Sequence, residues 1–210
     1  MGLRRSYIKY INKFINYEFG GCMLELGDQV IRKDKKIKEK TGKEYFTNMG
    51  LIHTSIDMNG LHNSIKQDLS KPIINPNWIN HFDIITNSGT SEHIEPFESQ
   101  YECFKNIHNF CITGGIMIHI VPDAIEVEKR DAFKKRHCNN YYTKDFFNML
   151  AEENKYYVKD ISLIDALRCT CLKKLYDTPF MGNKDLFLSK IVRKDNGRIY
   201  SYKNGIFSFK

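Results

Sequence analysis

Five short apolar runs, each closing on polar or turn residues, constrain the fold of this chain more than any other feature. The first is "CMLEL" at 22–26, set between Gly20-Gly21 and Gly27; "LIHTSID" (51–57), "SIKQDL" (64–69), "HFDIITN" (81–87) and "GIMIHIVP" (115–122) follow. Runs this short, bounded by glycine, aspartate and asparagine, read as buried strands rather than helices. The segments between them carry other signals. Residues 99–112 place Tyr101, Phe104, Ile107, His108 and Cys111 three and four apart, which predicts a helix, and the charged stretch 29–46 is the predicted crossover helix between the first two strands, with Gly42 near its end. Strands alternating with helices predict a doubly wound α/β sheet.

The flanks extend this pattern. Tyr7, Ile8, Ile11, Phe14, Ile15 and Phe19 predict an amphipathic N-terminal helix over 6–19, with Ser6 as its cap and Gly20-Gly21 as its stop. Beyond the fifth strand an excursion over 123–155 includes a helix predicted at 143–154 on a Thr143 cap. Two strands come next, 156–164 and 167–175, too close in sequence for a crossover and therefore antiparallel. The tail holds Asn196-Gly197 and Asn204-Gly205 between "RIYSYK" and "IFSFK", which predicts a small β-meander. With no repeat or low-complexity block to split it, the 210-residue chain reads as one domain.

Composition narrows the function classes. A chain that is 41% hydrophobic and 27% charged buries enough apolar surface to fold as a globule. Its longest apolar stretch is far short of a membrane span, and Arg4 and Arg5 are followed by no apolar leader, so neither export nor anchoring is expected. The six cysteines sit inside apolar patterns rather than at loop spacings, which points to a reduced, cytoplasmic protein. Cys169 and Cys171 have no second Cys or His pair at zinc spacing, so no metal is expected. The net charge of +7 allows a nucleic-acid partner without requiring one. The densest basic run, 31–43, reads as a solvated helix face or as a binding patch.

In an open α/β sheet, ligands bind beyond the carboxyl ends of the strands. Here Gly27, Asp28 and Gln29 follow the first strand, Asp57 ends the second, Asp68 lies at the end of the third, and Thr86, Asn87, Ser88, Gly89 and Thr90 follow the fourth. A glycine directly after a buried strand admits close approach of a ligand, and a carboxylate at the next strand end can accept two hydrogen bonds from ribose hydroxyls. That pairing suggests a nucleoside-containing cofactor. A dinucleotide is disfavoured, because the glycine-rich pyrophosphate loop is missing.

At these residues the chain resembles the class I S-adenosylmethionine-dependent methyltransferases. "MLELGDQ" looks like their first motif, "SIDMNG" like their acidic second strand end, "IKQDL" like the acidic residue that meets adenine, "FDIITNSGTSEHI" like their fourth motif and "CITGGIMIHIVP" like their fifth strand. The resemblance runs in order from about 20 to 122, and the antiparallel final pair fits the same fold. It implies a Rossmann-like, doubly wound, seven-stranded, mostly parallel sheet with an antiparallel last strand in a three-layer α/β/α arrangement. It also implies S-adenosylmethionine as cofactor, contacted by Glu25 beneath the methionine ammonium, by Gly27, Asp28 and Gln29 in the first loop, by Asp57 at the ribose, by Asp68 at the adenine amine, and by Asn87 and Ser88 at the methyl end. The family's first loop carries further glycines where this chain has Asp28 and Gln29. A side chain at position 29 crowds the methionine end of the cofactor unless the loop is displaced.

Methyl transfer needs a base only when the acceptor keeps its proton until late. His93, in "TSEHIEP" at the rim, is the first candidate, with Glu92 beside it to orient an amine or a water; His137, in the excursion near Tyr141 and Tyr142, is the second. His119 alternates into its strand and reads as an interior side chain. The chain has "TNSGT" where amino-methylating nucleic-acid enzymes carry a D-P-P-Y type motif, and it has no Pro-Cys pair there. The start of the loop, Ser91-Glu92, resembles that of protein arginine methyltransferases, but their second loop glutamate falls near Tyr101. The expected activity is therefore methylation of oxygen or nitrogen on a small-molecule or glycan acceptor. An RNA methyltransferase and a cofactor-binding but inactive interaction module are the alternatives.

Overall fold

The computed structural model describes residues 2–128, 138–195, 198–203 and 206–209. Seven strands form one sheet: β1 (Cys22–Leu26), β2 (Ile52–Asp57), β3 (Ile65–Lys66), β4 (Phe82–Ser88), β5 (Cys111–Pro122), β7 (Tyr156–Ile164) and β8 (Leu167–Lys174). Their order is β3-β2-β1-β4-β5-β8-β7, with the first five mutually parallel and β8 antiparallel to both its neighbours. The order reverses at β1, which pairs β2 on one side and β4 on the other. Leu26 lies opposite both Ile56 and Asn87, so the carboxyl ends of β2, β1 and β4 finish level. The doubly wound sheet with its antiparallel eighth strand is the expected one.

Period-two alternation sends neighbouring residues to opposite faces. Leu24, Leu26, Ile85, Met117 and Val121 join a core with helix α3 (Ser99–Phe110) and the helix Lys144–Glu153. Met23, Ile84, Ile116, Ile118 and Ile120 join a second core with helix α1 (Arg5–Asn12) and Phe46 of helix α2 (Gly42–Asn48). The sheet is thus covered on both faces. Cys169 and Cys171 share the second core, as two residues on one side of a strand must. All six cysteines are unbridged, and burial pushes the thiols of Cys111, Cys138, Cys169 and Cys171 up to about 12.

Three expectations need correcting. The predicted helix 6–19 stops at Asn12, whose side chain bonds the hydroxyls of Tyr17 and Tyr45. Its other end has no side-chain cap, and the Ser6 hydroxyl donates to Asp165 instead. The crossover segment 29–46 is not a helix until Gly42. Residues 30–41 close on themselves, with Ile31 N–H donating to Lys40 O at 2.7 Å, and the helix begins where Thr41 Oγ1 accepts from Glu44 N–H at 3.1 Å. Gly42 therefore opens a helix it was expected to end, and the basic run 31–43 is mostly loop. The third strand contracts to Ile65–Lys66. By contrast Thr143 does cap its helix, accepting from Phe146 N–H.

The tail forms a second sheet, β11 (Ile206–Phe209)-β10 (Arg198–Lys203)-β9 (Val192–Asp195)-β6 (Asn140–Tyr141). Its antiparallel order matches the expected meander, while the Asn-Gly turns at 196–197 and 204–205 lie outside the described residues. Among the described residues no helix is long and apolar enough to cross a membrane.

Candidate functional site

Where the strand order reverses, a crevice of about 290 Å³ opens above the carboxyl ends of β1, β2 and β4. Gly27, Asp28 and Gln29 form its floor; Asp57, Met58, Gln67 and Leu69 line the β2 side; Gly89, Thr90, His93 and Ile94 line the β4 side. Gly27 and Asp57 are therefore brought together. Gly27 adopts φ +87°, a conformation that favours glycine, and its N–H donates to Ile56 O at 2.8 Å. Asp57 accepts from Asp28 N–H at 3.0 Å and from Asn59 N–H at 2.9 Å, one on each carboxylate oxygen. Two main-chain donors fix this carboxylate and leave each oxygen a lone pair for a ligand hydroxyl. The Asp28 side chain pairs with His62 at the rim.

Beneath the floor, Glu25 is fully buried and does not reach the crevice. Burial holds its carboxyl well above the usual range, opposed by a hydrogen bond from Gln29 N–H. His53 Nε2 lies 3.6 Å from it, and burial lowers that imidazole to about 4. Gly42 passes directly over Glu25: a Cβ there would sit 2.2 Å from Glu25 Oε1. The Gly42 N–H donates to Gln29 O at 2.8 Å, so the start of α2 and the floor loop hold each other. The Gln29 side chain folds back across Gly27, where a Cβ would meet Gln29 Nε2 at 2.6 Å and Thr90 Oγ1 at 2.5 Å. The side chain at position 29 thus lies against the floor glycine of the crevice.

On the β4 side, Thr90 Oγ1 donates to Leu26 O at 2.7 Å and ties the β4 loop to β1. Asn87 and Ser88 are buried and do not line the crevice. Asn87 instead braces the turn Ser91–His93, donating to Ser91 Oγ and accepting from Ser91 N–H. Gln100 Nε2 donates to Ser91 O and Ile94 O, and the Tyr142 hydroxyl lies within hydrogen-bond distance of both Ser91 Oγ and Gln100 Oε1. This network fixes the backbone that presents His93. Asn140, on the second sheet, adds bonds to Glu92 O and Ile94 O. Glu92 points inward, fully buried, with neither carboxylate oxygen bonded among the described residues; burial pushes it up to about 7. Its Oε1 is 4.0 Å from His93 Nε2. His119 is an interior side chain, within hydrogen-bond distance of Asn87 and stacked on Phe104.

Of the expected site residues, the crevice thus unites Gly27, Asp28, Gln29, Asp57 and His93, with Glu25, Asn87, Ser88 and Glu92 behind its walls. Asp68 is not among the lining residues: its carboxylate accepts from Ser70 N–H and Oγ and pairs with Lys71 at 3.2 Å, contacts that lower it from its ordinary value. Its neighbours Gln67 and Leu69 line the crevice instead. Met58, Gly89 and Thr90 also line it; their only sequence signal was to lie one to three residues beyond a strand end. His137 lies outside the described residues. Among the described residues no cluster of His, Cys, Asp and Glu could hold a metal.

No protein family profile matches the chain, and no curated protein does. Solved structures do resemble it. The 1,6-didemethyltoxoflavin-N1-methyltransferase of Burkholderia thailandensis, bound to 1,6-didemethyltoxoflavin and S-adenosylhomocysteine, superposes with a TM-score of 0.52 at 14% identity over 75% of this chain and 72% of that one. A SAM-dependent methyltransferase of Methanosarcina mazei gives 0.55 at 9% identity, covering 84% of this chain and 100% of that one. An N-methyltransferase of Bradyrhizobium japonicum in complex with S-adenosylhomocysteine gives 0.51 at 11% identity, covering 82% and 89%. At these identities the likeness is one of fold: the chain has the fold of the S-adenosylmethionine-dependent methyltransferases.

Proposed function

We propose that this protein is an S-adenosylmethionine-dependent methyltransferase acting on oxygen or nitrogen of a small-molecule or glycan acceptor. The observation that carries the reading is the convergence of Gly27 and Asp57 on one crevice at the reversal of strand order. Gly27 admits the Gln29 amide and the Thr90 hydroxyl close against its main chain, and Asp57 offers two fixed acceptors to a ribose diol. The electrostatics agree. In a chain of net charge +7, the crevice is lined, among the described residues, by two carboxylates and no Lys or Arg, a field suited to a sulfonium and an ammonium rather than to phosphates. Two of the solved neighbours are N-methyltransferases, one holding a small heterocycle, which supports an acceptor of that size.

When bound, the cofactor supplies an electrophilic methyl group for in-line displacement. His93, at the β4 side, takes the acceptor's proton, and the Asn87–Ser91–Tyr142–Gln100 network holds the turn that presents it. Five buried, unbridged cysteines favour a reducing, cytoplasmic setting. Calorimetry with S-adenosylhomocysteine followed by radiolabelled transfer to a panel of acceptors tests the reading. His93→Gln should lower turnover by roughly 10²–10⁴ with cofactor affinity unchanged. Absence of cofactor binding would remove the enzyme reading. A steep salt dependence of RNA binding, with methyl transfer to RNA, would favour the alternative acceptor class.

A further inference from the structure

Of the residues lining the crevice, Gln29 alone carries a buried side-chain polar atom without a hydrogen-bond partner among the described residues. The residue is 5% exposed, and the orphan is Oε1. Its position is set by the fold. The Gln29 N–H is held by Glu25, its carbonyl accepts from Gly42 N–H at 2.8 Å, and its Nε2 lies against Gly27, leaving Oε1 as the unengaged end. The other acceptors of the floor are engaged: Asp57 by two main-chain N–H groups and Asp28 by His62. A buried amide oxygen left without a donor is costly, so a ligand that brings an N–H there recovers what the free protein forgoes.

We propose that Gln29 Oε1 is the acceptor for the α-ammonium of the cofactor. This rests on the cofactor reading above and adds to it the residue that selects for an intact amino-acid tail. The discriminating ligands are S-adenosylhomocysteine, which has the ammonium, and 5′-methylthioadenosine, which keeps nucleoside and sulfur but lacks the tail. Both are titrated calorimetrically into the full chain and its variants. Gln29→Leu should weaken S-adenosylhomocysteine by about tenfold to a hundredfold while leaving 5′-methylthioadenosine unchanged, which also certifies that the variant is folded. Gln29→Glu, which keeps acceptors and loses the donor, should hold S-adenosylhomocysteine within about threefold. Equal loss of both ligands in Gln29→Leu, no loss of either, or a Gln29→Glu variant as weak as Gln29→Leu overturns the assignment and leaves the cofactor reading standing. Wild-type protein that binds neither ligand overturns both.

Discussion

The two sides of the crevice treat their polar groups in opposite ways. At the β2 end and in the adjoining floor the carboxylates are already engaged: Asp57 by two N–H groups, Asp28 by His62, and Asp68, which does not line the crevice, by Ser70 and Lys71. On the side of β1 and β4, Gln29 Oε1 and both oxygens of Glu92 are buried without a bond among the described residues. The first arrangement is a preformed cradle that a ligand joins without rearranging it. The second keeps polar groups out of water at a cost, the pattern found where a site waits for a partner or tunes a proton. Binding strength should therefore be concentrated on the β2 side, and the response to pH on the β4 side.

The largest effect that follows is on affinity. Asp57→Ala removes two charge-assisted contacts to ligand and two to the loop, and S-adenosylhomocysteine should bind a hundredfold or more weaker, at about 1.5–3 kcal/mol per contact. A loss under about threefold in calorimetry would break the comparison at its strong end. Next comes Glu92. Its pKa rises on folding from an ordinary value of 4.5 to about 7, so the native state holds a proton that the unfolded chain releases. That contribution is present below the unfolded value and is lost as pH rises through the folded one. Glu92→Gln should accordingly gain stability relative to wild type between pH 4.5 and 8, on the order of 2–3 kcal/mol, in urea unfolding at the two pH values. A pH-independent difference would show that Glu92 is not the titrating group.

Smaller effects sharpen the boundary. Gly42→Ala forces a methyl group against the Glu25 carboxyl and should cost about 1–3 kcal/mol of stability by thermal melting. Asp68→Ala removes a surface ion pair with Lys71 and two loop hydrogen bonds from Ser70, so stability should fall by about 1–2 kcal/mol and cofactor affinity by a factor of two or so. A large loss of affinity there would restore Asp68 to the adenine and move the crevice wall.

Most of the sheet was legible, because each strand is a short apolar run with a turn residue at its end, and Gly27 and Asp57 sit at the ends that the parallel register brings level. The helix at Gly42 was readable too: Thr41 and Glu44 carry the spacing of an N-terminal cap, overshadowed by the charge of the run before it. Position 68 shows what a single chain cannot tell. Which of Gln67, Asp68 and Leu69 faces the crevice depends on the twist of a two-residue strand, and the alternation rule gives no register for so short a piece. Glu92 was misjudged for a similar reason. A three-residue turn has no periodicity to say which side chain goes inward, and the network that fixes the turn comes from Tyr142 and Gln100 bonding Ser91, distant in sequence.

The desolvated native thiols have a practical outcome. With Cys111, Cys138, Cys169 and Cys171 pushed up to about 12, these four buried thiols hold almost no thiolate near neutral pH. A cysteine installed at Met58, which lines the crevice and is 61% exposed, would outpace those four toward maleimide by on the order of a thousandfold. One fluorophore placed there would report ligand arrival in real time, on a protein whose interior sulfur stays dark.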